Sequence, residues 1–309
     1  MGSRSTDSAS AAEGPRVGIV TVVYRSDDVL PAFLASVPGA SREPTALVVV
    51  DNSASADSAS SGLTSIASAA AELTRAAGGQ YVPLPSNPGY GGGMNAGVTA
   101  LPGSVRWVLI SNPDVELEAG AIDILVEAAE RDATIAAVGP TVMNADGTRY
   151  PSARSVPSLR TGVGHALFVN FWQTNPWTRR YRQDEAAAAP ASKARDAGWL
   201  SGSCVLVRRD VFVELGGFDE GYFMYFEDVD LGYRIGKAGY RNRYEPAARV
   251  MHSGAHATTQ ESGRMVRAHH ASARRFLARK YRGWWLWPVR AALAVGLAAR
   301  SAMLARRTR

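Results

Sequence analysis

Short, unbroken apolar runs alternate with longer stretches of helical spacing through the first half of the chain. VGIVTVVY (17–24) is rich in β-branched residues and reads as a buried strand, followed by VLPAFLASV (29–37), whose apolar positions recur at helical spacing. ALVVVDNS (46–53) is a second buried strand that ends in Asp51, and a Ser/Ala-rich helix follows over roughly 56–77. QYVPLP (80–85) predicts a third strand, then a glycine-rich turn, NPGYGGGMNAG (87–97), which opens a helix to about Ala100. RWVLISNPD (106–114) predicts a fourth strand ending at Asn112 and Asp114, AGAIDILVEAAERD (119–132) a helix, and IAAVGPTVM (135–143) a further strand. Continuous apolar strands alternating with helices predict an α/β fold, a mostly parallel central sheet with helices on both faces. In such sheets ligands bind beyond the carboxyl ends of the strands. Asp51, the glycine turn and the Asn112–Asp114 pair all fall at such ends.

The second half is less regular. YPSARSVPS (150–158) and the low-complexity stretch 182–198 read as loops. GWLSGSCVLVRRDVFVELGGFDE (198–220) predicts strand, helix and turn, YFMYFEDVDLGYRIGKAG (222–239) an acidic cluster leading into a helix, and YRNRYEPAARVMHSG (240–254) a strand that closes on His252. No internal repeat is present.

Charge changes the picture at the two ends. The formal net charge of +6 over 309 residues divides into about −6 for residues 1–261 and +12 for the last 48, which contain no acidic residue. A basic tail points to an anionic partner, and with no nucleic-acid-binding motif in the chain that partner is read as a membrane and not nucleic acid. In GWWLWPVRAALAVGLAARSAMLARRTR (283–309) the longest charge-free run inside the predicted helix is Ala291–Ala299, too short to span a bilayer. Leu286, Leu293, Leu297 and Leu304 fall on one side of that helix, and Trp284, Trp285 and Trp287 suit a membrane interface. A helix packed on the protein body, with a solvated basic tail, fits the same pattern. Residues 1–15 are small and polar without an apolar segment, which predicts a disordered tail and no signal peptide. The single cysteine, Cys204, allows no intrachain disulfide and reads as a small buried hydrophobe.

Several residues can carry chemistry, and each also has a plainer explanation. Asp51 can accept hydrogen bonds from a base or ribose, or cap a helix. The glycines at 89, 91, 92, 93 and 97 let backbone approach a ligand closely, yet match neither a Walker A loop nor a clean G-x-G-x-x-G, and a flexible loop explains them too. SNPD (111–114) offers an amide and a carboxylate for a hard divalent cation, or an ordinary Asn-Pro turn. Glu227, Asp228 and Asp230 lie close enough to raise one another's pKa, which suits a general base, while an acidic helix N-terminus is favoured by the macrodipole alone. His252 is either a metal ligand or a structural imidazole.

Taken in order, the aromatic-ended first strand, VVVDNSASAD, NPGYGGGMNAG, SNPD, GGFDEGYFMYFEDVDLGYR and a late His resemble the family 2 glycosyltransferases of GT-A fold over roughly residues 16–255. In finer detail YPSAR, NPW (175–177), GWLSGSC and YFMYFEDVDLG resemble the bacterial rhamnosyltransferases of the WbbL type. The resemblance implies a nucleoside-diphosphate sugar donor, dTDP-L-rhamnose, and a prenyl-diphospho-N-acetylglucosamine acceptor in arabinogalactan-linker synthesis. It implies a divalent metal, Mg²⁺ or Mn²⁺, and a glycosyltransferase domain over 16–255, while the pattern of the basic, Trp-rich stretch over 256–309 is read as a helical membrane-associating segment working peripherally at the cytoplasmic face of the membrane. By the same resemblance Asp228 is the catalytic base. Tyr24, Asp51, Asn87, Gly91, Asn95 and Asn112 face the donor, Asp114 and His252 hold the metal, and Trp199, Ser201, Gly202 and Glu227 border the acceptor. Asn112 stands where the family's D-x-D element has its first Asp, so metal binding falls mainly on Asp114. Arg234 lies near the ED helix with no assigned role. Transfer of galactofuranose, glucose or N-acetylglucosamine, and a catalytically silent nucleotide-sugar-binding scaffold, remain open alternatives.

Overall fold

The computed structural model describes residues 14–53, 64–158, 193–254 and 262–288, with 291. The first apolar run forms β1 (Val17–Val23), buried along its length. It sits between β2 (Thr45–Asp51) and β4 (Trp107–Ser111), both parallel to it, with β3 (Gln80–Pro83) beyond β2. The chain leaves β1 toward β2 on one side and returns to β4 on the other. Their carboxyl ends therefore flank a topological switch point, where a crevice opens for a ligand.

Alternation along β1 feeds two cores. Val17, Ile19 and Val23 pack on the face covered by α1 (Leu30–Ala40), α2 (Thr64–Ala76) and α4 (Ala121–Glu130). Val20 and Val22 pack on the other, with Met94 and Val98 of α3 (Gly89–Ala100), Val211 and Phe212 of α5 (Arg209–Glu214), and Leu231 and Ile235 of α6 (Glu227–Lys237).

Beyond β4 the sheet is mixed. β11 (Cys204–Arg208) enters antiparallel between β4 and β6 (Ile135–Asn144). β12 (Arg241–His252) runs parallel to β6 with a register shift between Glu245 and Arg249, across Pro246, which cannot donate to the ladder. β5 (Val115–Leu117), a strand not expected from the sequence, pairs antiparallel with the end of β12 and sets His252 opposite Val115.

Three expectations are corrected. The glycine-rich segment is itself helix from Gly89 onward, because α3 lies so close to β1 that only glycine fits: a Cβ on Gly97 would stand 2.3 Å from Val20 Cγ1, and one on Gly93 2.9 Å from Val22 Cγ2. Residues 150–158 are not all loop, since β7 (Arg149–Tyr150) pairs with β6 and β8 (Ala153–Arg154) pairs with β10 (Trp199–Leu200). The end of the 182–198 stretch is likewise a strand, β9 (Arg195–Ala197), satisfied by β12; its residues before 193 lie outside the described residues.

The helix α7 (Ser262–Lys280) follows the boundary drawn at 255 yet belongs to the body: Phe276 is fully buried with Trp199, Tyr222 and Val229. After it, Trp284–Leu286 form a single 3₁₀ turn that leaves Trp284 82% and Trp287 63% exposed. No helix among the described residues is long and apolar enough to cross a membrane. The leucine stripe beyond Leu286, and residues 1–13 of the predicted tail, lie outside the described residues.

Candidate active site

Strand pairing brings together side chains far apart in sequence. The β5–β12 ladder, closed by Ser253 N–H donating to the Asp114 carbonyl at 3.0 Å, puts His252 against the turn after β4. There His252 Nε2 lies 3.1 Å from Asp114 Oδ1 and 3.3 Å from Asn112 Nδ2, with both ionisable side chains about one-sixth exposed. Adjacent ligands of a six-coordinate cation, each at about 2.1–2.2 Å, lie about 3 Å apart. The carboxylate oxygen and imidazole nitrogen thus stand at the spacing of neighbouring corners around one ion, and the donor set fits a divalent metal. Among the described residues no group of three or more His, Cys, Asp or Glu that could hold a metal ion is present.

The antiparallel β4–β11 ladder does the same for the second half. Cys204 is opposite Ser111, and Asn112 N–H donates to the Ser203 carbonyl at 2.9 Å, so Gly202 and Ser203 border the SNPD turn. On the other side, Gly202 N–H donates to Asp228 Oδ2 at 3.0 Å, and Val229 N–H donates to Asp228 Oδ1 at 2.8 Å. Tyr90, in the midst of the glycines, donates its hydroxyl to the Gly202 carbonyl at 2.6 Å. Asp228 thereby reaches the same crevice as Asn112, Asp114 and His252.

The two neighbouring acids of α6 differ in their surroundings. Burial raises the Glu227 carboxyl far above the ordinary carboxylate range, and the Asp228 charge adds to the effect. Its Oε2 is buried with no hydrogen-bond partner among the described residues. Asp228 is also raised by burial, but the Gly202 and Val229 amides and the Arg154 charge oppose this. A proton shared between the two therefore favours Glu227 and leaves Asp228 as the ionised acceptor. Tyr225 and Phe226, immediately before, adopt left-handed φ of 67°, a strained arrangement for non-glycine residues that aims the start of α6 into the crevice.

Most of the remaining candidates have internal duties. Asp51 is 1% exposed; its Oδ1 accepts from Ser53 N–H at 2.7 Å and from the Ser53 hydroxyl, and its Oδ2 from the Tyr81 hydroxyl at 2.6 Å. Asn87 Oδ1 accepts from Gly89 N–H at 2.9 Å, ahead of α3, and from Asn52 Nδ2 at 3.2 Å. Asn95 both donates to the Phe218 carbonyl and accepts from its amide, each at 2.9 Å, pinning the 216–220 loop to α3. Gly91 is buried because a Cβ there would press on Phe218 at 2.9 Å. Tyr24 stays open to solvent, 47% exposed at the end of β1. Trp199 is buried against Gly232 of α6, its indole N–H donating to the Ser155 carbonyl at 3.1 Å, and the Ser201 and Ser203 hydroxyls meet at 3.0 Å. Arg234 is a brace: it pairs with Asp230 at 2.6 Å and donates to the carbonyls of Leu215 and Gly217. Tyr81, Tyr90 and Arg154 were not singled out from the sequence. For Tyr90 a signal existed, a lone aromatic among glycines that leave room for it.

Residues 14–274 match the family described as glycosyltransferase like family 2. Over 297 residues the chain is 40% identical to the N-acetylglucosaminyl-diphospho-decaprenol L-rhamnosyltransferase of Mycobacterium tuberculosis, an alignment covering 93% of this chain and 92% of that one. Over 82 residues it is 45% identical to the rhamnosyltransferase WbbL of Escherichia coli K12, covering 26% of this chain and 31% of the other. The mannosyltransferase PcManGT from Pyrobaculum calidifontis, solved with GDP-Man and Mn²⁺, superposes with a TM-score of 0.54 at 17% identity, covering 95% of this chain and 79% of that one. That likeness shows the shared fold.

Proposed function

The chain belongs to glycosyltransferase family 2, and from that premise we propose that it transfers L-rhamnose from dTDP-L-rhamnose to a prenyl-diphospho-N-acetylglucosamine at a membrane surface, inverting the anomeric centre, in the assembly of the cell-wall arabinogalactan linker. The observation that carries the chemistry is Asp228, half-buried at the crevice and held by the amides of Gly202 and Val229. The sugar and acceptor are argued from the 40% identity, over nearly the full length of both chains, to the mycobacterial enzyme.

Asp228 takes the proton of an acceptor hydroxyl as that oxygen attacks the anomeric carbon. The bond from the anomeric carbon to the donor phosphate oxygen breaks on the opposite face, and its electron pair leaves with dTDP. A single displacement inverts the configuration and needs no carboxylate nucleophile. Asp114 and His252, with Asn112 beside them, would hold the divalent metal, Mg²⁺ or Mn²⁺. A divalent cation bound there neutralises charge on the departing diphosphate. Tyr24, exposed at the end of β1, and Asp51, at the end of β2, border the nucleoside. Ser201 and Gly202 border the acceptor beside Asp228, with Trp199 packed behind them. The exposed Trp284 and Trp287, with the basic segment around them, rest on the membrane that carries the acceptor.

The test is a donor panel: dTDP-rhamnose, dTDP-glucose, UDP-glucose, UDP-N-acetylglucosamine and UDP-galactofuranose against prenyl-diphospho-N-acetylglucosamine, with the product linkage read by NMR. Transfer confined to dTDP-rhamnose with inverted linkage is expected. Comparable turnover from a UDP-sugar, or retained configuration, refutes the assignment.

A further inference from the structure

Arg154 is a cation whose charge acts on the half-buried Asp228. It sits on β8, where pairing with β10 sets it opposite Trp199. Its guanidinium carbon lies 5.7 Å from the ring centroids of both Tyr150 and Trp199. Its Nε donates to the Pro151 carbonyl at 2.8 Å. Two aromatic contacts and one backbone bond fix the plane of the guanidinium, and they leave its outer edge, the two terminal nitrogens, without a carboxylate partner among the described residues. The Tyr150 ring in turn meets the His252 imidazole edge-on at 6.3 Å. Arg154 is thus linked to the Asp114–His252 pair through the Tyr150 ring and to Asp228 through its charge.

The charge on which it acts is negative, that of Asp228. A half-buried guanidinium with no carboxylate partner among the described residues does not simply neutralise it. A guanidinium held in one plane with a free two-donor edge matches a pair of phosphoryl oxygens, and it is worth more than a mobile ammonium because its geometry is already set.

We propose that Arg154 is a diphosphate-binding residue, its free edge holding phosphoryl oxygens beside the reaction centre. Both substrates of the function proposed above, on which this inference rests, carry a diphosphate, the nucleotide donor and the lipid-linked acceptor. The experiment separates the two. Full-length Arg154→Gln is compared with wild type in dTDP affinity by calorimetry, and in KM for prenyl-diphospho-N-acetylglucosamine and for a neutral N-acetylglucosamine glycoside. If Arg154 holds the donor, dTDP affinity falls about 10- to 100-fold and both acceptors keep their KM. If it holds the acceptor, dTDP affinity is unchanged, KM for the diphosphate acceptor rises by about the same factor, and the neutral glycoside is unaffected. Unchanged dTDP affinity together with an unchanged diphosphate-acceptor KM overturns the proposal, including the case in which only the acid limb of kcat moves, which would make Arg154 an electrostatic support for Asp228. Arg154→Lys keeps the stem and charge, loses the fork, and gives the same readout should the Gln variant fail to fold. A wild-type protein that binds no dTDP would instead refute the proposed function.

Discussion

Replacing Glu227 with Gln should stabilise the protein, and by an amount that depends on pH in a defined direction. Glu227 is 7% exposed, its Oε2 has no donor among the described residues, and the charge of Asp228 is adjacent. All three disfavour the ionised form, so the folded protein holds this proton above the ordinary value of 4.5. An unfolded chain loses the same proton near that value. Once the pH passes it, the native state binds more protons than the unfolded state, and stability falls with rising pH until the folded group itself ionises. Each pH unit in that interval costs about 1.4 kcal/mol, so by pH 7 the penalty reaches up to about 3 kcal/mol. Gln has the shape of the protonated acid and no charge to bury, and the penalty disappears. Urea unfolding of wild type and Glu227→Gln, from pH 4.5 to 8.5, reads the difference directly. The two should be alike near pH 4.5 and diverge as pH rises, with the variant more stable by a few kcal/mol at pH 7 to 8. Parallel curves, or a variant less stable throughout, would show that Glu227 is ionised in the native state and that the assignment of the proton within the pair is wrong.

Asp228→Asn should lower transfer about 10²- to 10⁴-fold while dTDP affinity stays close to wild type, and more than a tenth of wild-type activity would remove Asp228 as the base. Because burial raises the Asp228 carboxyl, the acid limb of the wild-type rate should lie above the usual carboxylate range, with activity lost as pH falls through it. Asp114→Ala and His252→Ala should each weaken metal-dependent dTDP binding, measured by calorimetry with and without EDTA; affinities equal to wild type under both conditions would move the metal elsewhere. Truncation after Arg282 keeps α7 and removes the exposed tryptophans, so it should lose sedimentation with anionic liposomes yet still turn over a short water-soluble acceptor. Liposome binding equal to the full chain would place the anchor elsewhere.

The strands and most helices were legible because their signals are local. A run such as Val17–Val23 is apolar on both faces since both faces are covered, and that needs no knowledge of which strand lies alongside. The motif order was legible as well, and it was enough to identify the family. The glycine segment was misread because density of glycine signals freedom in an isolated peptide. Here it signals the opposite, a helix pressed so tightly onto Val20 and Val22 that no side chain fits. Asp51, Asn87 and Asn95 were assigned to the donor by resemblance, and resemblance does not reveal that Tyr81, Gly89 and Phe218 engage them within the fold.

The sequence by itself determined which segments would be buried, that they would stack as strands between helices, and which acids and amides would stand at strand ends. Only the tertiary structure decided which of those ends meet. The antiparallel entry of β11 beside β4 carries the Gly202 amide to Asp228, 26 residues away, and the β12–β5 ladder carries His252 to Asn112, 140 residues away. The reason is physical: periodicity and propensity act over one or two turns of chain, whereas strand order and register are chosen by the burial of whole faces and the satisfaction of every buried backbone group at once.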